Sequence, residues 1–185
     1  MSDQDIPEIQ FDEKKAMAIF PRPELKQAAL VPMPHLDTEG TLPTFIRPEW
    51  GGVQIFFGDY YAVIKNGIVI YGSAKEQWEA MHSVISPGYW VKTAIPTAYV
   101  ATIPCRIVTL IPDEHGIVKE ANFVLSPGDW IVRQPGGEVQ HIKKEKFAKL
   151  YFTPDEALNL GLMAMSNAEF GDWAIAQSQL QGALR

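Results

Sequence analysis

The alternation of apolar and polar residues predicts short β-strands through the middle of the chain. An apolar run at 53–57 is followed by a strand pattern at 60–64, and 68–71 repeats that pattern after Asn66-Gly67. Asn-Gly between β-branched and aromatic runs is typical of a tight β-hairpin, because both central residues of a type I′ turn need positive φ. The pattern therefore predicts a hairpin with its corner at Asn66-Gly67.

A short helix is predicted directly after this hairpin. Ser73 and Glu76 have the spacing of a capping box, in which two side chains bond the first free N–H groups of a helix. Trp78, Met81 and His82 then follow at the spacing of one helix face. We expect a hairpin whose helix packs its aromatic side inward.

The same order of elements occurs a second time. A strand pattern at 128–133 is followed by a turn at 135–137, a return strand at 138–142 and a helical pattern at 143–151. The two stretches align at a glycine-aspartate pair, at the turn glycine and at two apolar helix positions: Gly58 with Gly128, Asp59 with Asp129, Gly67 with Gly137, Trp78 with Phe147, and Met81 with Leu150. This pattern indicates an internal duplication.

The two ends of the chain differ from its middle in composition and in predicted structure. Residues 1–49 hold seven of the fourteen prolines, and each proline removes a backbone donor and favours extended geometry before it. We expect an extended arm, with a short helix allowed at 12–19, lying over its own domain or on a partner. At the other end, Thr153 to Glu156 and Ser166 to Glu169 predict two capped helices. The first should run through Met165, and the second should turn four residues inward: Phe170, Trp173, Ala174 and Leu180.

These patterns predict an α+β fold with an antiparallel β-rich core built from two duplicated hairpin-helix units. The predicted divisions are an extended proline-rich arm at 1–49, the duplicated domain at 50–152, and a C-terminal helical pair at 153–185. A core is expected because apolar residues make up 46% of the chain and aromatic residues 11%.

Charge and cysteine content exclude several classes of function. A net charge of −6 opposes nucleic-acid binding by phosphate neutralisation, which needs a concentrated basic face. The single cysteine, Cys105, excludes an internal disulfide and favours a reducing compartment. The N-terminus shows neither a secretory signal nor an apolar run that could span a bilayer. We expect no membrane association and a cytoplasmic location.

One motif in the second copy resembles a known family. Ser126-Pro127-Gly128-Asp129-Trp130, then Gly137-Glu138, then Phe147 and Tyr151 resemble the ending of small, uncharacterised phage and prophage proteins. The resemblance covers about 50 residues, from Cys105 to Thr153, and the family's usual Glu-Pro step is replaced here by Phe152-Thr153-Pro154. It implies a phage-type genomic setting, with location in the host cytoplasm or the virion, and brings no catalytic residues.

Candidate catalytic and metal-binding groups are sparse. Asp59 and Asp129 occupy equivalent places, which would suit paired acid-base carboxylates, but an aspartate after glycine more often fastens a turn. The four histidines lack metal-site spacing, and the Asp113-Glu114-His115 cluster lies on an expected turn. Cys105 stands in an apolar strand, where a buried inert thiol is expected. We therefore predict no catalytic residues, no metal and no cofactor.

Binding is the favoured function. The leading hypothesis is a non-catalytic phage-type accessory protein that binds a host or virion protein, with homo-oligomerisation left open. Host-interaction, anti-defence and virion-associated roles remain unranked. The candidate contact residues are the arm and strand-entry aromatics and the basic helix face: Phe20, Trp50, Trp90, Trp130, Lys143 and Lys146. The alternative is a small-molecule or nucleotide binder with a pocket between the repeats, lined by Trp78, Trp130 and His141.

Overall fold

The computed structural model describes residues 6–33, 44–48, 53–113 and 116–183, with backbone alone for 108–113, 116–123 and 182–183. Its elements, in chain order, are β1 (Glu8–Ile9), β2 (Met17–Ala18), β3 (Lys26–Val31), β4 (Thr44–Ile46), β5 (Gln54–Phe56), β6 (Tyr60–Lys65), β7 (Ile68–Ala74), α1 (Lys75–Met81), β8 (His82–Ser86), β9 (Tyr89–Lys92), β10 (Thr97–Val100), β11 (Cys105–Asp113), β12 (Gly116–Leu125), β13 (Trp130–Arg133), β14 (Val139–Ile142), α2 (Lys144–Leu150), α3 (Pro154–Asn159) and α4 (Asn167–Ala183). The fold is mixed α+β with mostly antiparallel sheets and a C-terminal helix, as the sequence predicts. No helix in these ranges is both long and apolar enough to cross a membrane.

The chain divides into two compact units. The first unit comprises residues 1–22 and 94–170, and the second comprises 23–93 and 171–185. The first unit is therefore discontinuous along the chain, and the division at its C-terminal side falls within α4.

The first unit is organised around a seven-stranded sheet. Its strands follow the order β1-β11-β14-β13-β10-β2, with β12 paired to β11. All these pairs are antiparallel except β1 with β11, which is parallel. Helix α2 adds Phe147 to a core that also holds Ile19, Ala98 and Val132. The strands thus supply one apolar surface, and the short helix covers part of it.

The second unit is organised around a five-stranded antiparallel sheet. The strand order is β7-β6-β3-β9-β8, so β3 is the central strand. Trp78 of α1 is buried against Ala28, Tyr61 and Val63 on one face of this sheet. The two-stranded ribbon β4–β5 contacts β7 at Gly72, whose cross-strand partner is Ala62. Because neighbouring residues along a strand point to opposite faces, the helix and the ribbon cover opposite faces of the sheet.

The structure confirms the predicted hairpin corners. Asn66 and Gly67 both have positive φ, 53° and 77°, and β6 pairs with β7 across them. Gly137 has a φ of 90° between β13 and β14. The capping box predicted at Ser73 is wrong, since Ala74 occupies the N-cap of α1 without a side-chain bond. Ser73 instead belongs to β7, where it pairs with Tyr61.

The described strands of the N-terminal segment pair within the same chain. β1 and β2 join the sheet of the first unit, while β3 is the centre of the other sheet. The helix allowed at 12–19 is wrong, because residues 13–15 form a turn and Met17–Ala18 pair with β10. Trp50 lies outside the described residues.

At the C-terminal end, both capping boxes are confirmed. Thr153 and Glu156 exchange side-chain and backbone bonds at the start of α3, and Ser166 and Glu169 do so before α4. Helix α3 ends at Asn159 and does not reach Met165, since Gly161 adopts a left-handed φ of 73°. Phe170 and Ala174 are buried as predicted, whereas Leu180 is exposed.

Candidate binding surface

Asp129 is the most heavily bonded carboxylate that the structure describes. Its side chain is 5% exposed and accepts bonds from the backbone N–H groups of Ser126 and Lys144, each at 3.1 Å. His141 Nε2 lies 3.1 Å and Lys143 Nζ 3.2 Å from the same carboxylate. Burial opposes the charge, but these four donors outweigh it and lower the pKa of Asp129 to about 2. The carboxylate therefore stays ionised and fastens both the turn at Ser126 and the start of α2.

Asp59 has a similar fastening role in the second unit. Its Oδ1 accepts the backbone N–H of Met33 at 3.0 Å, and its Oδ2 lies 3.9 Å from Lys75 Nζ. Its backbone carbonyl accepts the N–H of Lys75, the first residue of α1. Asp59 and Asp129 belong to different units, and each is engaged by neighbours of its own unit. The geometry thus favours turn fastening over a paired acid-base site.

The other candidate chemical groups are placed as follows. Cys105 is buried, and desolvation raises the pKa of its thiol, which favours the unreactive protonated form. Within the described ranges, no group of three or more His, Cys, Asp and Glu side chains is arranged to hold a metal ion. Residues 114–115 of the predicted polar turn lie outside those ranges.

The predicted contact residues have very different surroundings. Phe20 is 3% exposed and packs edge-on against Phe170, so its ring is not available to a partner. Trp130 is half-buried and stacks on Phe147 with 3.8 Å between ring centroids. Lys143 bonds Asp129, and Lys146 is exposed on α2.

The residues of the predicted small-molecule pocket are divided between the units. Trp78 is 1% exposed and belongs to the second unit, while Trp130 and His141 belong to the first. His141 is bonded to Asp129, so its ring serves the turn that Asp129 holds.

An aromatic cluster in the second unit gathers several polar atoms without partners. Trp78 stacks on His82 at 3.8 Å and meets Trp90 edge-on at 6.1 Å. The indole N–H groups of both tryptophans and Nε2 of His82 are buried and have no hydrogen-bond partner. Lys26 Nζ lies 5.9 Å from the centroid of the Trp78 ring. Such unsatisfied buried groups are uncommon and call for an explanation.

Two groups in this cluster have strongly lowered pKa values. Burial lowers the pKa of His82 to about 2, helped by the nearby charges of Lys26 and Lys92. Burial and Lys92 also lower the pKa of Lys26 to about 8. Because the carbonyl of Trp78 is 3.1 Å from His82 Nδ1, the proton of the neutral ring belongs on Nδ1. Nε2 of His82 is then an acceptor.

The ribbon β4–β5 has one face that is anchored. Gln54 bonds both backbone groups of Gly72, accepting its N–H at 2.9 Å and donating to its carbonyl at 3.2 Å. Phe56 stacks on Tyr60 with ring centroids 4.6 Å apart. A methyl group on Gly72 would lie within 2.8 Å of Phe56 and Ile46 side-chain atoms, so glycine permits this close approach.

The other face of the ribbon carries large apolar side chains that are exposed to solvent. Phe45 and Ile55 are cross-strand neighbours, and Val53 and Phe57 lie two residues to either side of Ile55. These four residues, which we call the apolar row, are each between 50% and 66% exposed. Single exposed apolar residues are ordinary, but a contiguous group on one face marks an interaction site.

Sequence reasoning missed the apolar row, although part of its signal was present. The sequence shows Val53-Gln54-Ile55-Phe56-Phe57 as an apolar run, and the period of two of a strand would put Val53, Ile55 and Phe57 on one side. The residues around this run do not indicate which of its two sides is exposed to solvent. Phe45 joins the row only through pairing with β5.

Comparison with family models, with curated proteins and with solved structures found no match for this chain.

Proposed function

We propose that this chain is a non-catalytic accessory protein that acts by binding a protein partner through the apolar row. The proposal rests on the exposed face of the ribbon, which carries Phe45, Val53, Ile55 and Phe57. The opposite face of the ribbon is anchored at Gly72. An anchored ribbon presents aromatic side chains at low entropic cost, and rigid aromatic anchors dominate the binding energy of protein interfaces. Phe45 comes from the proline-rich segment that the sequence predicts to lie over its own domain or on a partner.

The chemistry of the row favours a protein over other macromolecules. All four side chains are uncharged, and the chain carries a net charge of −6, which opposes both nucleic acid and anionic lipid surfaces. The central contacts of protein interfaces are likewise depleted in charge and rich in aromatic residues. The expected partner therefore offers an apolar groove with a polar rim.

The biological setting is proposed from the sequence. The motif from Ser126 to Tyr151 resembles that of small phage and prophage proteins, which supports a phage-type accessory role in the host cytoplasm or the virion. Under this proposal the partner is a host or virion protein, and a second copy of the chain is a further outcome of the test below.

Duplication of the hairpin-helix unit is part of the same proposal. Helices α1 and α2 each have seven residues and begin after residues with φ, ψ of −53°, 141° and −58°, 143°. Each ends at an extended residue, His82 or Tyr151, whose N–H bonds the carbonyl of Trp78 or Phe147. Each of these two aromatic rings is buried in the core of its own unit. This agreement of caps and buried positions supports a common origin.

Site-specific photo-crosslinking tests the binding role directly. A photoreactive phenylalanine analogue would replace Phe45 in one variant and Leu158, which is 67% exposed on α3, in a matched control. Both variants would be expressed in the presumptive host during infection, and cross-linked products would be identified by mass spectrometry. We expect one protein to be captured at position 45 and not at position 158.

The captured protein is then purified and its affinity measured. Phe45→Ser with Phe57→Ser should weaken binding at least 100-fold, since two aromatic anchors are lost. Leu158→Ser with Leu160→Ser should leave binding unchanged. Equal capture at both positions, binding that survives loss of both phenylalanines, or binding to lipid vesicles by the same row would each refute the proposal.

A further inference from the structure

The second unit contains a cavity of about 450 Å³ where β3, β6 and the β8–β9 hairpin meet. Strand β9 pairs with β3 only at Lys26 and Gln27, and the chain then reverses at Pro87-Gly88. The last backbone contact across this join is the bond from Ala28 N–H to the carbonyl of Gly88, at 2.9 Å. Beyond it the hairpin no longer flanks β3, and the cavity begins.

The walls of the cavity are almost entirely apolar. Their side chains come mainly from Leu30, Tyr61, Ile64, Val84, Pro87 and Trp90. Gln27, Ala28 and Ala29 of β3, together with Gly88, complete the lining. Leu30 and Val84 line the cavity and yet are 43% and 56% exposed, so they lie at its mouth. The volume falls within the range of small-molecule sites, which are mostly apolar with a few polar groups that orient the ligand.

The polar groups beside this cavity carry positive charge or hydrogen-bond donors. Lys26 is the cross-strand partner of Trp90, which lines the cavity, and its ammonium group lies over the adjacent Trp78 ring. Among the residues that the structure describes, no carboxylate forms an ion pair with Lys26. The indole N–H of Trp90, which lines the cavity, is buried and has no acceptor. Both the charge of Lys26 and this donor would be satisfied by an anion.

We propose that this cavity binds an amphipathic anion, a molecule with an apolar body and one acidic group such as a medium-chain carboxylate. The apolar body covers Leu30, Tyr61 and Val84, and the acidic group faces Lys26. This site differs from the apolar row and does not depend on the function proposed above.

The lowered pKa of Lys26 agrees with this arrangement. Burial and the neighbouring ammonium of Lys92 disfavour its charge, and Glu24 opposes that effect. The neutral His82 ring adds no charge of its own. An anion bound beside Lys26 would favour the charged form of its side chain and so raise its pKa.

Three ten-carbon probes of different charge test the proposal on the intact chain. Decanoate, decanol and decyltrimethylammonium share one apolar body, and binding is measured by calorimetry and by the rise in melting temperature. We expect decanoate to bind about tenfold more tightly than decanol, a difference of about 1.4 kcal/mol, and the cation to bind most weakly.

Two variants with a control locate the site. Lys26→Met should reduce decanoate affinity to the level of decanol and leave decanol unchanged, whereas Lys65→Met, at an exposed lysine of β6, should alter neither. Val84→Trp, which puts a large ring at an exposed position of the cavity wall beside Trp90, should abolish binding of both. The proposal is refuted if no probe binds, if decanoate and decanol bind equally, if Lys26→Met has no effect, or if folded Val84→Trp protein binds normally.

Discussion

Asp129 accepts a hydrogen bond from the backbone N–H of Lys144 at 3.1 Å, across fifteen residues of the chain. The same carboxylate holds Ser126 N–H, so a single side chain closes the turn before β13 and caps the first turn of α2. Charge-assisted bonds from backbone N–H groups are about twice as strong as neutral ones, and the negative charge also suits a helix N-terminus. The β13–β14 hairpin and its helix are therefore coupled through one residue.

Replacing this carboxylate should weaken the first unit. We expect Asp129→Ala to lower the free energy of unfolding by about 2 to 3 kcal/mol, since two backbone donors lose their partner and a helix cap is removed. Asp129→Asn, which keeps one acceptor oxygen, should cost less. Urea denaturation of the three proteins gives the comparison, and an alanine variant as stable as the parent would show that the capping bonds contribute nothing.

The acid sensitivity of this contact follows from its pKa. The folded-state pKa of Asp129 is lowered to about 2 from an ordinary value of 3.8, so its stabilising effect is present above pH 4 and is lost as pH falls toward 2. In Asp129→Asn this component should be missing, and the free energy of unfolding should fall less steeply between pH 4 and pH 2.

A second effect of pH on stability is expected from His82, and it occurs over a higher pH range than that of Asp129. The unfolded chain takes up a proton at an ordinary pKa of 6.5, but the folded pKa is lowered to about 2, so only the unfolded state gains the proton between these values. Stability should therefore fall as pH drops below 6.5, by at most about 1.4 kcal/mol per pH unit. Replacing His82 with asparagine should reduce this slope.

NMR provides an independent readout for the same residue. The ring resonances of His82 should not titrate in the folded protein between pH 5 and pH 8. A midpoint near pH 6.5 would contradict the lowered pKa that we infer from the burial of this ring.

Arg22 should be sensitive even to a conservative change. Its guanidinium reaches both carboxylate oxygens of Glu156, at 2.7 and 2.6 Å, donates to the carbonyl of Ala148 at 2.8 Å and lies over the Phe152 ring. Lysine keeps the charge, but it lacks the planar group from which Nη2 bonds Glu156 while Nε bonds Ala148. We expect Arg22→Lys to lower the melting temperature by a few degrees.

A double-mutant cycle separates the ion pair from the other contacts. Glu156→Gln retains the capping box with Thr153, because glutamine also serves at that position, but it removes the charge. The effects of Arg22→Lys and Glu156→Gln should be less than additive. Full additivity would mean that the two residues do not interact in solution.

Gly72 allows a direct test of how the ribbon is anchored. Gly72→Ala places a methyl group 2.7 Å from the Phe56 ring and 2.8 Å from Ile46, and these side chains must move outward. We expect the free energy of unfolding to fall by about 1 to 2 kcal/mol. Gly58→Ala is the matched control, since a Cβ there meets no atom within 4 Å. Equal effects at the two positions would show that the ribbon does not pack closely on β7.

The sequence predicted those parts of the fold that depend on local geometry. The Asn66-Gly67 corner and the caps at Thr153 and Ser166 involve residues within four positions of each other, so their signals are complete in a short window. Helix α2 was predicted to within one residue for the same reason.

The parts that were missed depend on pairing between distant residues. Lys26–Val31, a proline-free stretch between Pro23 and Pro32, is the central strand of the second unit, yet its neighbours β6 and β9 come 30 to 60 positions later. Helix and strand propensities cannot anticipate such a partner. The neutral His82 was missed likewise, because its pKa is set by burial and by lysines on β3 and β9.

The discontinuity of the first unit has a consequence for biosynthesis. Residues 8–20 leave the ribosome early, but the strands that receive them, β10 and β11, are made about 80 to 100 residues later. The stretch that carries most of the second unit is synthesised in that interval. During translation the nascent N-terminus therefore waits with Ile19 and Phe20 uncovered, and this is the stage at which the growing chain most needs protection from aggregation.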